Sequence, residues 1–413
     1  MSVYSGPIQG VCEGIFDGPH ATPKESDDGP VFLGISNVKA DGRMDLSEIR
    51  HVSEQDFPRW TRRVVPRHND IVFSYEATLH RYALIPEAFR GCLGRRMGLI
   101  RVDQNKVDPR YLLYYCLSPQ WRTVIDGNTI KGATVDRIPL KNFPNFPIRI
   151  PPRDQQTRIA ERLEAFDALI ENNQRRIVLL EEAARLLYRE WFVHFRFPGH
   201  EHVETIEGLP EGWERRALEL VCSDGNGIQT GPFGSQLHQS DYSDTGVPVV
   251  MPKDLISFRI DSEEVFRIPE SFAERLPRHR MIEGDTVYGR RGDIGRRAFV
   301  SAKQTGWLCG TGCLRIRPNP KEIDPRFLFD ALGAPDTTGL IANRAKGATM
   351  LNLNATLLKS VPVLVPTRSL QALYAEQVQP MAELIELLSE QNTKLKFARD
   401  LLLPRLMNGE IAI

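Results

Sequence analysis

Lys131-Gly132-Ala133-Thr134, preceded by Asn128, recurs as Lys346-Gly347-Ala348-Thr349, preceded by Asn343, 215 positions further along the chain. Working outward, Asp70-Ile71-Val72-Phe73 and Arg81-Tyr82-Ala83-Leu84-Ile85 return at the same interval as Asp285-Thr286-Val287-Tyr288 and Arg296-Arg297-Ala298-Phe299-Val300. Asp108-Pro109-Arg110-Tyr111-Leu112 returns one step late as Asp324-Pro325-Arg326-Phe327-Leu328. Pro147-Ile148 and Ile150-Pro151 are answered by Pro362-Val363 and Val365-Pro366. A fixed interval of this kind marks a tandem, pseudo-twofold repeat. Alternating apolar runs at 70–75, 82–86, 285–289 and 297–301, bounded by Gly, Pro and Asp, predict strands, while 109–117 and 325–332 predict short helices. Each repeat therefore opens with a mixed α/β (α+β) globular unit.

The segment after each unit is different in kind. From Pro152 to Pro198 there is no Gly or Pro. Ile159, Leu163, Phe166, Ile170, Asn173, Ile177, Leu180, Ala184, Leu187 and Trp191 alternate spacings of four and three, the a/d seam of a coiled coil. The second copy offers Tyr374, Val378, Met381, Ile385 and Leu388, then Gln391, Leu395, Ala398 and Leu402. Read this way, Ile177 matches Leu395, which implies a three-residue stammer and local overwinding. Pro380 is expected to kink the second helix. Asn173 and Gln391 are either register devices or tolerated polar residues. The first helix leads from one globular unit to the next and the second starts at the latter, so packing on each other requires them to be antiparallel. The segmentation expected is a first globular domain at 1–151, a first helix at 152–197, a second globular domain at 198–366 and a second helix at 367–413.

Composition excludes several classes. Of 413 residues 41% are hydrophobic and 26% charged, which is a globular balance with length for more than one domain. No run approaches the length of a membrane span, the opening Met1–Gly6 lacks a secretory pattern, and six scattered cysteines make no disulfide framework. A cytoplasmic, reduced protein without membrane contact is expected. Catalytic signatures are missing: there is no Gly-Lys of a phosphate loop, no acidic-x-Lys pair, and no Asn/Asp-Pro-Pro-aromatic tetrapeptide. Cys309, Cys313 and His200-Glu201-His202 lack a second ligand pair at metal-site spacing. Neither a catalytic residue, a cofactor site nor a metal site is expected in this chain.

Binding residues are more evident. Basic charge equals acidic charge at 53 each, yet only 12 of the 53 cations are Lys, so Arg dominates, the side chain suited to phosphate and guanine. The first repeat carries Arg59, Arg62, Arg63 and Arg67, then Arg81, Arg90, Arg95, Arg96 and Arg101; the second carries Arg275, Arg278, His279, Arg280, Arg290, Arg291, Arg296 and Arg297. Either block could be a solvated face. Three features favour nucleic acid. Arg290 to Arg297 flank a Gly-Asp-Ile-Gly turn at strand ends; Lys131 with Thr134, and Lys346 with Thr349, combine cation, amide and hydroxyl in one loop. The repeated scaffold also carries different tips, Tyr75-Glu76 in one copy and Arg290-Arg291 in the other. The candidate DNA-binding set is Tyr75, Arg81, Arg95, Arg96, Lys131 and Thr134, with Gln236, Arg290, Arg291, Arg296, Arg297, Lys346 and Thr349.

The stretch Pro151-Pro152, Gln155, Arg158-Ile159-Ala160, Leu163, Asp167, Ile170 and Trp191-Phe192-Val193 resembles the central conserved region of type I restriction–modification specificity subunits. Arg399 to Leu406 with Gly409-Glu410-Ile411 is similar to that family's distal region, and Gly231-Pro232-Phe233-Gly234-Ser235-Gln236 and Asp17-Gly18-Pro19-His20 to the openings of its recognition domains. His194 to Gly199 departs from the acidic continuation of that region. The resemblance implies that each globular unit reads half of a bipartite, asymmetric site in double-stranded DNA, with the coiled coil setting the spacer. It implies two methyltransferase subunits and two restriction subunits as partners, which would hold S-adenosylmethionine, ATP and Mg. The alternative is a bipartite DNA-binding or scaffold protein acting without methyltransferase partners.

Overall fold

The computed structural model describes residues 3–132, 134–233, 236–290, 295–344 and 353–411. Contacts divide the chain into two compact units, Met1–Gln174 with Ser389–Ile413, and Arg175–Leu388. These units cut each long helix in its middle, unlike the four sequential segments read from the sequence. The cause is packing: Ile159 and Leu163, near the start of the first helix, lie in the core of the module that precedes them, together with Leu403, Leu406 and Met407 of the second helix.

Each unit is built on the same frame. In the first, Cys12–Asp17, Met97–Val102, Ile71–Ser74 and Tyr82–Leu84 form a four-stranded antiparallel sheet in that order. Every residue of Ile71–Ser74 is buried, because both faces of the sheet are covered. Ile71 and Phe73 point into a core with Tyr111, Trp121 and Ile159, whereas Val72 points to the other side with Leu33, Leu93 and Leu99. A second sheet orders Arg50–His51, Ser26–Leu33 and Gly91–Leu93, the last pair parallel. The second unit repeats this with Ile228–Thr230, Cys313–Ile316, Thr286–Gly289 and Arg297–Phe299, and with Phe266–Ile268, Val247–Val250 and Leu308–Cys309. There too alternate residues part company: Tyr288 joins Phe327 and Tyr374, and Val287 joins Val250 and Ala298. A buried aspartate anchors the sheet in each copy. Arg101 donates to Asp70 at 3.1 and 2.8 Å, and Arg317 to Asp285 at 2.8 and 2.7 Å.

The two long helices are Arg153–Phe192 and Arg368–Met407, 40 residues each, or roughly 60 Å of helix. No helix among the described residues is long and apolar enough to cross a membrane. In the first unit Asn173 meets Asn392, with Nδ2 to Oδ1 at 3.0 Å, while Asn392 Nδ2 reaches the Ile170 carbonyl at 3.4 Å. In the second unit Ile177 packs on Ile385 and Leu388, and Trp191 lies 6.0 Å from Tyr374. Partners descend along one helix as they ascend along the other, so the pair is antiparallel. Ile159, Leu163, Ile170, Asn173, Ile177 and Ala184 of the first helix are buried, and Phe166, Leu180 and Leu187 are half-buried.

The second helix departs from its sequence reading. Gln391 is exposed and Asn392 buried, so the seam runs Leu388, Asn392, Leu395, Arg399, Leu402 and Leu406, still in alternating fours and threes. There is no stammer, and Ala398 stands one position before Arg399, the residue that continues the alternation. Two polar residues hid the register. Asn392 has its amide satisfied by Asn173 and Ile170, and Arg399 donates to Asp167, so both are tolerated inside. The helix runs without interruption through Pro380, which faces solvent, where the missing N–H costs least. The repeat interval of 215 therefore holds along the whole of both helices, from Ile159/Tyr374 to Leu187/Leu402.

Each helix is fastened to its module by a buried glutamine. Gln156 Oε1 accepts from the Asp108 amide at 2.9 Å and its Nε2 donates to the Pro151 carbonyl at 2.8 Å. Gln371 does the same with Asp324 and Pro366, at 2.8 and 2.7 Å. Asp108 caps the short helix Pro109–Leu117 and pairs with Arg110 at 2.9 Å and Arg153 at 2.8 Å. Burial works to raise its pKa, but the two guanidinium groups outweigh that and hold the carboxyl well below its usual range. Its stabilising effect is complete above the ordinary carboxylate pKa and is lost only as pH falls toward the depressed folded value.

Unfolding by denaturant distinguishes the joint from the seam. Gln156→Leu leaves the Asp108 amide and Pro151 carbonyl unpaired in a buried place and costs about 1–3 kcal/mol. Asn392→Leu leaves the Asn173 amide only the long contact to Gln391 Oε1 at 3.5 Å and costs about 1–3 kcal/mol, whereas Asn173→Leu with Asn392→Leu restores or exceeds the original midpoint. A double variant no more stable than the single one would show that the amide pair is not the source of the loss.

Candidate nucleic-acid interface

In the first unit, four segments meet where Cys12–Asp17 and Ile71–Ser74 end and where Met97–Val102 and Tyr82–Leu84 begin. The Tyr75 amide donates to the Arg96 carbonyl at 3.1 Å, the Ile138 amide to the Tyr75 carbonyl at 2.7 Å, and the Ala77 amide to the Asp136 carbonyl at 3.1 Å. These bonds lock the loops at 75–81, 94–97 and 130–137 together. Tyr75 itself is turned inward, its hydroxyl 3.3 Å from His20 Nδ1, and burial pushes its phenol up to about 12. His20 Nε2 lies 3.0 Å from Asp17 Oδ2, which also holds Arg63 at 2.6 Å. Glu76 sits 3.3 Å from Arg96, and Asp136 holds Lys131 at 2.9 Å. Arg95 and Thr134 are exposed and Arg81 half-buried, with no ion-pair partner for either arginine among the described residues.

Arg96 adopts φ 70°, a left-handed conformation that costs a side chain energy. Its counterpart in the second unit is Gly312, φ 88°, in a turn with the same closure, as Met97 donates to Gly94 and Cys313 to Gly310 at 3.2 Å each. The shared turn thus presents Arg95-Arg96 in one unit and Thr311-Gly312 in the other. Strain of this kind collects where a side chain must be placed for use.

The second unit corrects part of the sequence reading. Arg290 is buried instead of standing at a loop tip: its Nε donates to the Leu353 carbonyl at 3.2 Å, its own carbonyl accepts from the Leu353 amide at 2.8 Å, and its guanidinium lies 5.8 Å from the Phe233 ring. It occupies the position of Tyr75 and, like it, fastens the loops. Arg297 is also buried, with its guanidinium 4.7 and 4.8 Å from the rings of Phe258 and Phe329 and Nε on the Phe329 carbonyl at 3.0 Å. Strand alternation is the reason: Arg296 faces out and Arg297 in, where the first repeat has Arg81 and the buried Tyr82. Gln236 is exposed, its Oε1 accepting from the Phe233 amide at 3.3 Å. Arg291, Lys346 and Thr349 lie outside the described residues. The cluster of Asp17, His20 and Arg63 was not among the site residues expected; its signal was the Asp17-Gly18-Pro19-His20 opening.

The fold and these loops can be set beside known proteins. Residues 36–182 match the model of the type I restriction modification DNA specificity domain. The MjaVIII type I restriction enzyme specificity subunit of Methanocaldococcus jannaschii is 22% identical over 85% of this chain and 81% of its own. The putative MjaX specificity subunit of the same organism is 21% identical over 98% and 93%. The crystal structure of the type I restriction–modification S subunit from M. genitalium covers 98% of this chain and 96% of its own, with a TM-score of 0.55 and 16% identity. The chain is similar to type I specificity subunits over most of its length. The loops at one end of each four-stranded sheet carry the residues that differ between the two copies, while Asp70/Arg101 and Asp285/Arg317 hold the sheets beneath them.

Arg297→Ala removes two ring contacts and a buried hydrogen bond, and lowers stability by about 1–3 kcal/mol. Arg296→Ala changes it by less than about 0.5 kcal/mol, as for other surface substitutions. Urea midpoints check both; equal losses would contradict the inward and outward assignment.

Proposed function

We propose that this chain is the non-catalytic DNA-recognition subunit of a type I restriction–modification complex, each globular module reading one half of a bipartite, asymmetric site in duplex DNA. The observation that carries the reading is one turn, built identically in both copies, with Arg95-Arg96 in the first and Thr311-Gly312 in the second. A shared frame with unlike side chains is what two readers of unlike sequences require, since base edges, not phosphates, carry the sequence.

The helices supply the spacer and the docking face. The two 40-residue antiparallel helices are the elements to which this reading gives the spacer role. Their outer faces are unusually apolar: Leu169, Phe397 and Leu401 are exposed in the first unit, Val178, Leu179, Leu186 and Leu387 in the second, with Phe397 71% and Leu179 68% accessible. Exposed apolar stripes on a helix pair suit protein partners, here two methyltransferase subunits, with two restriction subunits completing the complex. S-adenosylmethionine, ATP and Mg belong to those partners.

The test is methylation of a half-site-randomised duplex library by the chain with its methyltransferase subunits. Arg95→Ala relaxes the half read by the first module and Arg296→Ala the half read by the second, each by about 1–3 kcal/mol at the affected base pair. Relaxation of both halves by one substitution, or no sequence preference in the parent, would overturn the reading.

A further inference from the structure

The first unit neutralises three of the cations at its loop end, leaving Arg81 and Arg95 without an ion-pair partner among the described residues. Arg63 is held by Asp17 at 2.6 Å and by the Gly18 carbonyl at 3.1 Å, Lys131 by Asp136 at 2.9 Å, and Arg96 by Glu76 at 3.3 Å. The second unit treats the matching place differently. The repeat partner of Arg63 is Arg278, since each stands seven residues before its anchoring aspartate, Asp70 or Asp285. Arg278 lines a cleft of about 430 Å³ together with Gln229, Phe233, Gln236, Arg275 and His279.

No carboxylate lines this cleft among the described residues. Arg275 and Arg278 are both exposed, and Arg275 is steadied by the Phe272 ring 4.0 Å from its guanidinium carbon. Phe233 is 55% exposed, a large apolar surface for a residue bordered by two arginines and two glutamines. His279 is buried, and its Nδ1 has no hydrogen-bond partner among the described residues; the first copy has Val64, a core residue, at that position. The ring has the Thr230 backbone as a hydrogen-bond partner, but a buried Nδ1 left over in place of valine, beside two arginines with no ion-pair partner among the described residues, favours a polar occupant of the cleft. Phe233 also lies beside Arg290, so the cleft adjoins the loop end of the sheet.

We propose that this cleft takes a backbone phosphodiester of the bound duplex, with Arg275 and Arg278 providing charge, Gln229 and Gln236 amide donors, and Phe233 an apolar wall for the sugar. The proposal rests on the DNA-reading assignment above and adds an asymmetry to it. The second unit is the electrostatic anchor of the complex. The first, with Arg63, Arg96 and Lys131 already matched by Asp17, Glu76 and Asp136, contributes discrimination with less counterion release from those positions.

The experiment measures duplex affinity of the full chain, with its methyltransferase subunits, against salt concentration, using the methylated site and a scrambled duplex of equal length. Arg275→Gln and Arg278→Gln should each lower the salt slope by about 0.9 and the pair by about 1.8, weakening both duplexes alike, whereas Arg63→Gln leaves the slope unchanged. An unaltered slope in the double variant, or a loss confined to the methylated site, overturns the phosphate assignment while leaving the DNA-reading role standing. A parent complex that does not prefer its own site sinks that role, and the cleft with it. Calorimetry with inorganic phosphate and with ATP, without DNA, separates the sources. No binding below millimolar concentration is expected, and tight binding lost in the double variant would make the cleft a free-anion site and overturn the proposal.

Discussion

A pair of buried glutamine side chains fixes how each module meets its helix. Gln156 and Gln371 each close a loop of two hydrogen bonds, from the capping aspartate of a short helix to the proline carbonyl just before the long one. Both amide ends are used, and both side chains are buried. The direction of a 40-residue helix is thus set within its first turn, where a small angular error would be magnified along roughly 60 Å. Everything the helices are proposed to do as a ruler depends on that joint being stiff. Tyr114 adds to it in the first unit by donating to Asp167 at 2.5 Å, and Tyr374 in the second by donating to Asp330 at 3.0 Å.

The sheets impose a complementary constraint. A strand such as Ile71–Ser74, apolar on both faces, cannot vary without disturbing two cores at once. Variation is pushed to the ends of the strands, where backbone hydrogen bonds common to both copies hold the loops and unlike side chains add to them. The bond from the residue-75 or residue-290 amide to the turn carbonyl exists in both copies, although one copy places tyrosine there and the other arginine. Side-chain identity at these positions is free to change as long as the backbone is not.

Much of this was legible in the sequence because it is repetitive. The 215-residue interval exposed the strands, the short helices and both long helices. Polarity in buried places was the source of error. Asn392 and Arg399 sit in the seam where a hydrophobic template passes them over, so an apolar trace runs through Gln391 and Ala398 and acquires three extra residues. Arg290 and Arg297 look like surface charges but are enclosed by Phe233, Phe258, Phe329 and the Leu353 carbonyl. Aromatic rings and carbonyls supplied by distant segments can shelter a guanidinium, and no local spacing announces them. The reverse holds for Arg63, whose neutralisation by Asp17 joins residues 46 positions apart.

The asparagine contact in the seam has a consequence for which halves can associate. Because the interval is uniform, one module with its helix could in principle zip against a second copy of itself. In such a pairing Asn173 would face Ile177 instead of Asn392, and in the converse pairing Asn392 would face Leu388. Each self-pairing would bury two amides without a partner, at about 1–3 kcal/mol apiece, whereas the unlike pairing buries two that satisfy each other. The amide pair therefore acts as a sorting code. It penalises symmetric assemblies, which would display the same module twice, and favours the arrangement in which two different modules share one coil.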